Sequence, residues 1–112
     1  MNIMMDYNLN HADPWQETYA KTMAAFWTKE GLSSYGGKYT LGGTKRDSVH
    51  YTGTVAVNGM LAFALPAADG KPFLQAVWDA AIPASNQDRY YSGCLYMLSM
   101  LHMSGKFNLF YK

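Results

Sequence analysis

The stretch RYYSGCLYMLSMLHMSG, Arg89 to Gly105, has helical character but no solvent face. From Tyr90 to Met103 it carries no formal charge, and only Ser92, Gly93, Ser99 and His102 interrupt its apolar surface. A helix apolar on every side must be covered on every side. A chain of 112 residues is one domain with a modest core. Such a helix therefore predicts neighbours that the chain itself does not supply.

Charge and composition narrow the function classes. Nine Lys and Arg oppose eight Asp and Glu, and the basic residues are scattered. There is no field to steer nucleic acid or an anionic bilayer, and no clustered basic footprint. Neither nucleic acid nor membrane is expected as a partner. No apolar run reaches the ~18 residues of a membrane span, and no signal-peptide pattern opens the chain, so no compartment is assigned. Cys94 is the only cysteine, which excludes an internal disulfide. Nine Tyr, three Trp and eight Met suit stacking on flat ligands and helix-core packing equally.

Helical signals recur along the chain. MNIMMDY, Met1 to Tyr7, is an apolar helical fragment without a cap. Asp13 as N-cap, Pro14 at N1 and Gln16 at N3 start a second helix, an amphipathic one that ends near Gly31. Trp15 is expected to staple this helix to the core. The Gly-, Tyr- and Thr-rich SSYGGKYTLGGT reads as a loop or short hairpin. Asp47 or Ser48 is expected to cap a third, uncharged helix, VHYTGTVAVNGMLAFAL, which Pro66 and an Asp69-Gly70 turn stop. Pro72 starts a fourth, an amphipathic one with Phe73, Leu74, Val77, Trp78, Ala81 and Ile82 as one apolar stripe and Lys71, Gln75 and Asp79 off it, and Pro83 ends it. Asp88 caps the fifth, Gly105 closes it, and a short aromatic tail, KFNLFYK, follows.

Helices apolar all round thus alternate with amphipathic ones. A plain bundle would be amphipathic throughout. Alternation predicts two layers, with inner helices touching neighbours on all sides and outer helices keeping one wet face. The expected fold is all-α, about five helices alternating inner and outer. Gly53, Gly59 and Gly93 cost roughly 1 kcal/mol each against Ala inside inner helices, a cost offset by close packing or ligand access.

RYYSGCLYMLSMLHMSGKF resembles the closing segment of glycoside hydrolase family 8, with its Tyr-Tyr-Asp-Gly, Leu-Tyr-Met-Leu and Leu-His-x-Ser-Gly-x-Phe pattern. MNIMMDY followed by ADPWQ is similar to the family's Asn-Ile-x-x-Asp-Tyr and Asp-Pro-Trp-Gln. VHYTGTVAVNGMLAFAL is similar to its His-Pro-x-Gly-Leu-x-Ala-x-Asn-Ala helix. The three matches are collinear and point to the branch of reducing-end xylose-releasing exo-oligoxylanases. The resemblance implies an (α/α)6 toroid of about twelve helices, of which residues 1–112 correspond to the last five, with Met1 inside a family helix. It also supplies the neighbours that the apolar helices require.

The family inverts its substrate, which needs a carboxylic acid and a carboxylate about 6.5–9.5 Å apart. The resemblance places both upstream of Met1. The carboxylates present do not replace them. Asp13, Asp47 and Asp88 are expected as caps and Asp69 in a turn, while Glu17, Glu30 and Asp79 lie on or near wet faces. Only Asp6 falls on an apolar helix, where a buried structural pairing is the expected role. No catalytic residue is expected in the chain, which would be inactive alone.

Substrate contacts are expected instead. The resemblance assigns His50 to a position that contacts the reducing-end sugar, although Tyr51 stands where the family usually has Pro. Tyr90 and Tyr91 open an inner helix at its cleft end, where an aromatic ring can stack on the C–H face of a sugar or simply cap the core. Tyr7 lies on the same rim, and Ser92 replaces the family's Asp. The His11-x-Asp13 pair lacks a third ligand at suitable spacing, so no metal and no cofactor are expected. The expected partner is an oligosaccharide. Unpartnered inner helices give a second expectation, self-association, either as a fragment or as a carbohydrate-binding or self-assembling module.

Overall fold

The computed structural model describes residues 1–10 and 12–108. They form five α-helices: α1 (Asn2–Leu9), α2 (Pro14–Glu30), α3 (Thr52–Gly59), α4 (Ala67–Asp79) and α5 (Asn86–Met103). A 3₁₀ segment, Met60–Ala64, prolongs α3. This segment and α3 form the hub, with α5 and α4 packed on α3 and α1, α2 and α4 on the 3₁₀ turn. Met60, Leu61, Val55 and Ala56 are buried there against Met4, Ala20, Ala24, Phe73 and Val77. The tail is described only as far as Asn108, so residues 109–112 and His11 lie outside the described residues.

The start of α2 also fixes α1. Pro14 occupies the first turn, and the Asp13 backbone N–H donates to Gln16 Oε1 at 3.1 Å. The amide of the fully buried Gln16 then donates to Asp6 Oδ2 (2.8 Å) and to the Ile3 carbonyl (3.3 Å). One side chain thus closes a helix terminus and joins two helices. Gln16, Ala20, Ala24 and Trp27 mark the buried face at helical spacing. Trp15 lies beside that face and is 55% exposed, so it is not the expected staple.

Between α2 and α3 the chain makes no strand, only an isolated antiparallel bridge between Tyr39 and Lys45. Gly43, with φ 81°, sits in the turn between them, a backbone region that glycine enters without strain. Asp47 does not cap a helix. Its Oδ1 accepts from the Gly37 N–H (2.8 Å) and the Val49 N–H (3.3 Å), which latches the loop. Consequently α3 starts only at Thr52, and Tyr51 takes the N-cap position.

Further boundaries differ from expectation. α4 begins directly after Pro66, so Asp69 and Gly70 lie in its opening turns and Pro72 is internal. Asp69 suits the positive end of the helix dipole there, and Gly70 packs on Ala62, where a Cβ would approach within 3.1 Å. The apolar stripe of α4 also divides. Phe73 and Val77 are buried, while Leu74 and Trp78 are exposed, Trp78 at 74%, and the helix ends at Asp79 rather than at Pro83, which leaves Ala81 and the exposed Ile82 beyond it. α5 begins one turn earlier than expected, with Ser85 as N-cap and its hydroxyl donating to Asp88 Oδ2 at 2.8 Å.

The packing of α5 is inverted. Its polar Ser92, Ser99 and His102 are buried, whereas Tyr90, Tyr91, Met97 and Leu101 are exposed. Tyr90, Met97 and Leu101 fall at i, i+7 and i+11, with the exposed Cys94 at i+4, and so form one continuous stripe. The helix closes at Gly105 (φ 68°), whose N–H bonds the His102 carbonyl while the Lys106 N–H bonds that of Leu101. This reversal stacks Phe107 on the His102 ring, with centroids 3.9 Å apart.

Candidate functional site

The latch at Asp47 determines how the chain enters α3, and the entry carries His50. Its Nδ1 lies 2.8 Å from the Tyr35 carbonyl oxygen. A carbonyl only accepts, so Nδ1 bears a proton, and the tautomer this selects for the neutral ring has Nε2 as its acceptor. Tyr35 is buried, edge-on to His50 and tilted over Trp27. Burial is the main cause that pushes its phenol up to about 12.

Two hollows adjoin this entry. One of about 380 Å³ opens between the Gly37-Lys38 loop, the first turn of α3 at Gly53 and Thr54, and Tyr91 and Leu95 of α5. Another of about 220 Å³ lies between residues 49–52 and the α4–α5 connection at Ala81–Pro83. Tyr51, Asp88 and Ser92 border both. The helices approach closely at the shared floor, where a Cβ on Gly53 would lie 2.9 Å from Ser92 Cα. A larger hollow of about 600 Å³ lies on the other side of His50, between the turn after α2 and the α4 residues Gln75, Ala76 and Asp79.

The structure brings two of the four expected contacts to this region. His50 lines the 220 Å³ hollow and the 600 Å³ one. Tyr91 lines the 380 Å³ hollow and a further one of about 520 Å³ beside Met1–Ile3. Tyr90, 77% exposed, borders none of these hollows. Neither does Tyr7. Its hydroxyl donates to Glu17 Oε1 at 3.2 Å, and desolvation, with a smaller effect from that carboxylate, raises its pKa.

Tyr51 and Asp88 were not legible as site residues. Tyr51 falls inside the apolar run read as helix from Val49, and Asp88 stands where a cap was expected. Ser85, three residues before Asp88, carried the signal, since Ser-x-x-Asp is a capping pattern. Asp88 is instead in the first turn with its carboxylate exposed. Asp6, too, is exposed rather than buried, and its two oxygens accept from Asn10 Nδ2 and Gln16 Nε2. Among the described residues no three His, Cys, Asp or Glu side chains are grouped to hold a metal ion, and His11 is outside them. No helix among them is long and apolar enough to cross a membrane.

The alternating helices reproduce part of an (α/α)6 toroid, the architecture of glycoside hydrolases to which this chain is similar in sequence and structure. The reducing-end xylose-releasing exo-oligoxylanase Rex8A of Paenibacillus barcinonensis is 29% identical over 111 residues, and its counterpart from Halalkalibacterium halodurans is 28% identical over 116. Solved structures of Rex8A with xylose and of a reducing-end xylose-releasing exo-oligoxylanase both superpose at a TM-score of 0.84, with 27% and 26% identity. These superpositions cover 99% and 98% of this chain. The chain spans about 29% of the length of these relatives. No family model matches it.

Proposed function

We propose that the chain is the C-terminal portion of an inverting glycoside hydrolase that cleaves β-1,4-linked xylo-oligosaccharides, and that it supplies substrate contacts but no catalytic carboxylate. The observation carrying this reading is the superposition of 99% of the chain on an exo-oligoxylanase of which it covers 29%. His50 and Tyr91, on the hollows beside the α3 entry, are the substrate contacts of this reading, while Tyr90 and Tyr7 lie outside those hollows. His50 offers Nε2 as acceptor to a sugar hydroxyl, and Tyr91 offers a ring face to sugar C–H groups. Inverting hydrolysis needs two carboxyl groups on opposite sides of the scissile bond. In this chain Asp6 and Glu17 are engaged by Gln16 and Tyr7, and among the described residues Asp88 is the only carboxylate on the two hollows at the α3 entry. Xylotriose incubated with the purified chain should therefore stay intact. Release of xylose would overturn the assignment of catalysis to another part of the protein.

The inverted packing of α5 favours a second reading, in which the chain self-associates. The stripe Tyr90, Cys94, Met97, Leu101 carries no charge and lies exposed, as do Leu74 and Trp78 of α4 and Ile82 just beyond it. Light scattering on the full chain should show a mass that rises with concentration. The pair M97E and L101E should bring it back to a monomer. A wild-type chain that stays monomeric across the concentration range would exclude this reading.

A further inference from the structure

The boundary between the two hollows at the α3 entry is built from three residues of unlike chemistry. Tyr51 contributes a ring laid over Gly37, so close that a Cβ there would sit 2.5 Å from its Cδ2 and Cε2. Ser92 lies at the floor, 7% exposed, in the crossing with Gly53. Asp88 is exposed and, among the described residues, is the only carboxylate on either lining. Its Oδ2 accepts from the Ser85 hydroxyl, and Oδ1 has no partner among the described residues.

We infer that Asp88 is a specificity-determining residue that accepts hydroxyl hydrogen bonds from a neutral sugar bridging the two hollows; the inference rests on the xylo-oligosaccharide reading above. A neutral pyranose presents many O–H donors and needs strong acceptors. A carboxylate is the strongest that a side chain offers, and it can accept from neighbouring hydroxyls at once. Tyr91 and Tyr51 flank Asp88 with ring surface for the sugar's C–H groups. Lys38 on the same lining balances the charge of Asp88, so the hollow favours a ligand without net charge over an acidic sugar.

Equilibrium dialysis of the full chain against xylotriose tests this, because it reads affinity in whatever assembly state the chain adopts. D88N preserves shape and an acceptor for Ser85, and it should weaken binding about tenfold, the value of one charged hydrogen bond. D88E should retain part of the affinity. S85A removes only the tether to Asp88 Oδ2 and should stay within about twofold of wild type, since a surface hydroxyl pair contributes little. Helical content by circular dichroism confirms that each variant is folded. D88N binding as tightly as wild type would overturn the role of Asp88 and leave the xylo-oligosaccharide reading standing. A wild-type chain that binds no xylotriose would overturn that reading and this inference with it.

Discussion

The His50 ring is held 2.8 Å from the Tyr35 carbonyl, which fixes its proton on Nδ1 and turns the acceptor nitrogen away from that bond. The bond ties the loop before α3 to the aromatic layer of Tyr35 and Trp27. H50A leaves that carbonyl without its donor and should cost about 1 kcal/mol in urea unfolding. H50Q, with an amide donor, should recover part of the stability. If H50A unfolds at the same urea concentration as wild type, the bond does not hold the loop.

Burial of Tyr35 makes the fold sensitive to alkali. Its phenol titrates near 12 in the folded chain against an ordinary value of 10, so the folded state resists ionisation that the unfolded chain accepts. The sign follows directly: this contribution is complete below pH 10 and is lost as pH rises from 10 towards 12. The slope approaches about 1.4 kcal/mol per pH unit within that window. Denaturation of wild type and Y35F at pH 8 and pH 11 should show a smaller alkaline loss in Y35F. An equal loss in the two would place the alkaline sensitivity elsewhere, with the raised Tyr7 and Tyr39 as next candidates.

The alternation of helix types was visible in sequence because it depends on charge placement, and charge placement follows solvent. The N-terminus of α2 was visible because Asp13, Pro14 and Gln16 act locally. The starts of α3 and α4 were hidden for the opposite reason. Whether Asp47 caps a helix or latches a loop depends on Gly37, ten residues away. Whether Pro72 starts α4 or sits inside it depends on Gly70 finding room against Ala62. The site divides in the same way. His50 could be named only through the family resemblance and Tyr91 through its place at a helix start, whereas Tyr51 and Asp88 become neighbours of one hollow only when α3 and α5 cross.

That crossing and the α3–α4 contact rest on glycines. A Cβ on Gly59 would overlap Val77 Cγ2 and lie 3.3 Å from Met103 Sδ. Val77 is buried and cannot move aside freely. G59A should therefore cost about 1–3 kcal/mol, even though alanine favours helix by nearly 1 kcal/mol. G93A is the control, since its nearest neighbour would be the Asp88 carbonyl at 3.8 Å. It should be neutral or stabilising. If G59A proves as stable as G93A in thermal melts, α3 and α4 are not held at this distance by Gly59.

His102 should make the same fold sensitive to acid. It is 1% exposed, neither ring nitrogen has a partner among the described residues, and the Ser99 hydroxyl one turn earlier is also buried and without a partner among them. Desolvation lowers its pKa below the ordinary 6.5, because the interior accepts the neutral ring more readily than the charged one. Its contribution is thus present above pH 6.5 and is lost as pH falls through the lowered folded value, with a slope of up to about 1.4 kcal/mol per unit. H102L removes the titrating group and should gain on wild type between pH 7.5 and pH 5 in urea unfolding. F107A opens the stacked cover and should move the His102 titration, followed by NMR, back towards 6.5. S99A removes an unpaired buried hydroxyl and should be neutral or stabilising at both pH values. Equal acid loss in H102L and wild type would show that the buried imidazole is not the acid-sensitive group.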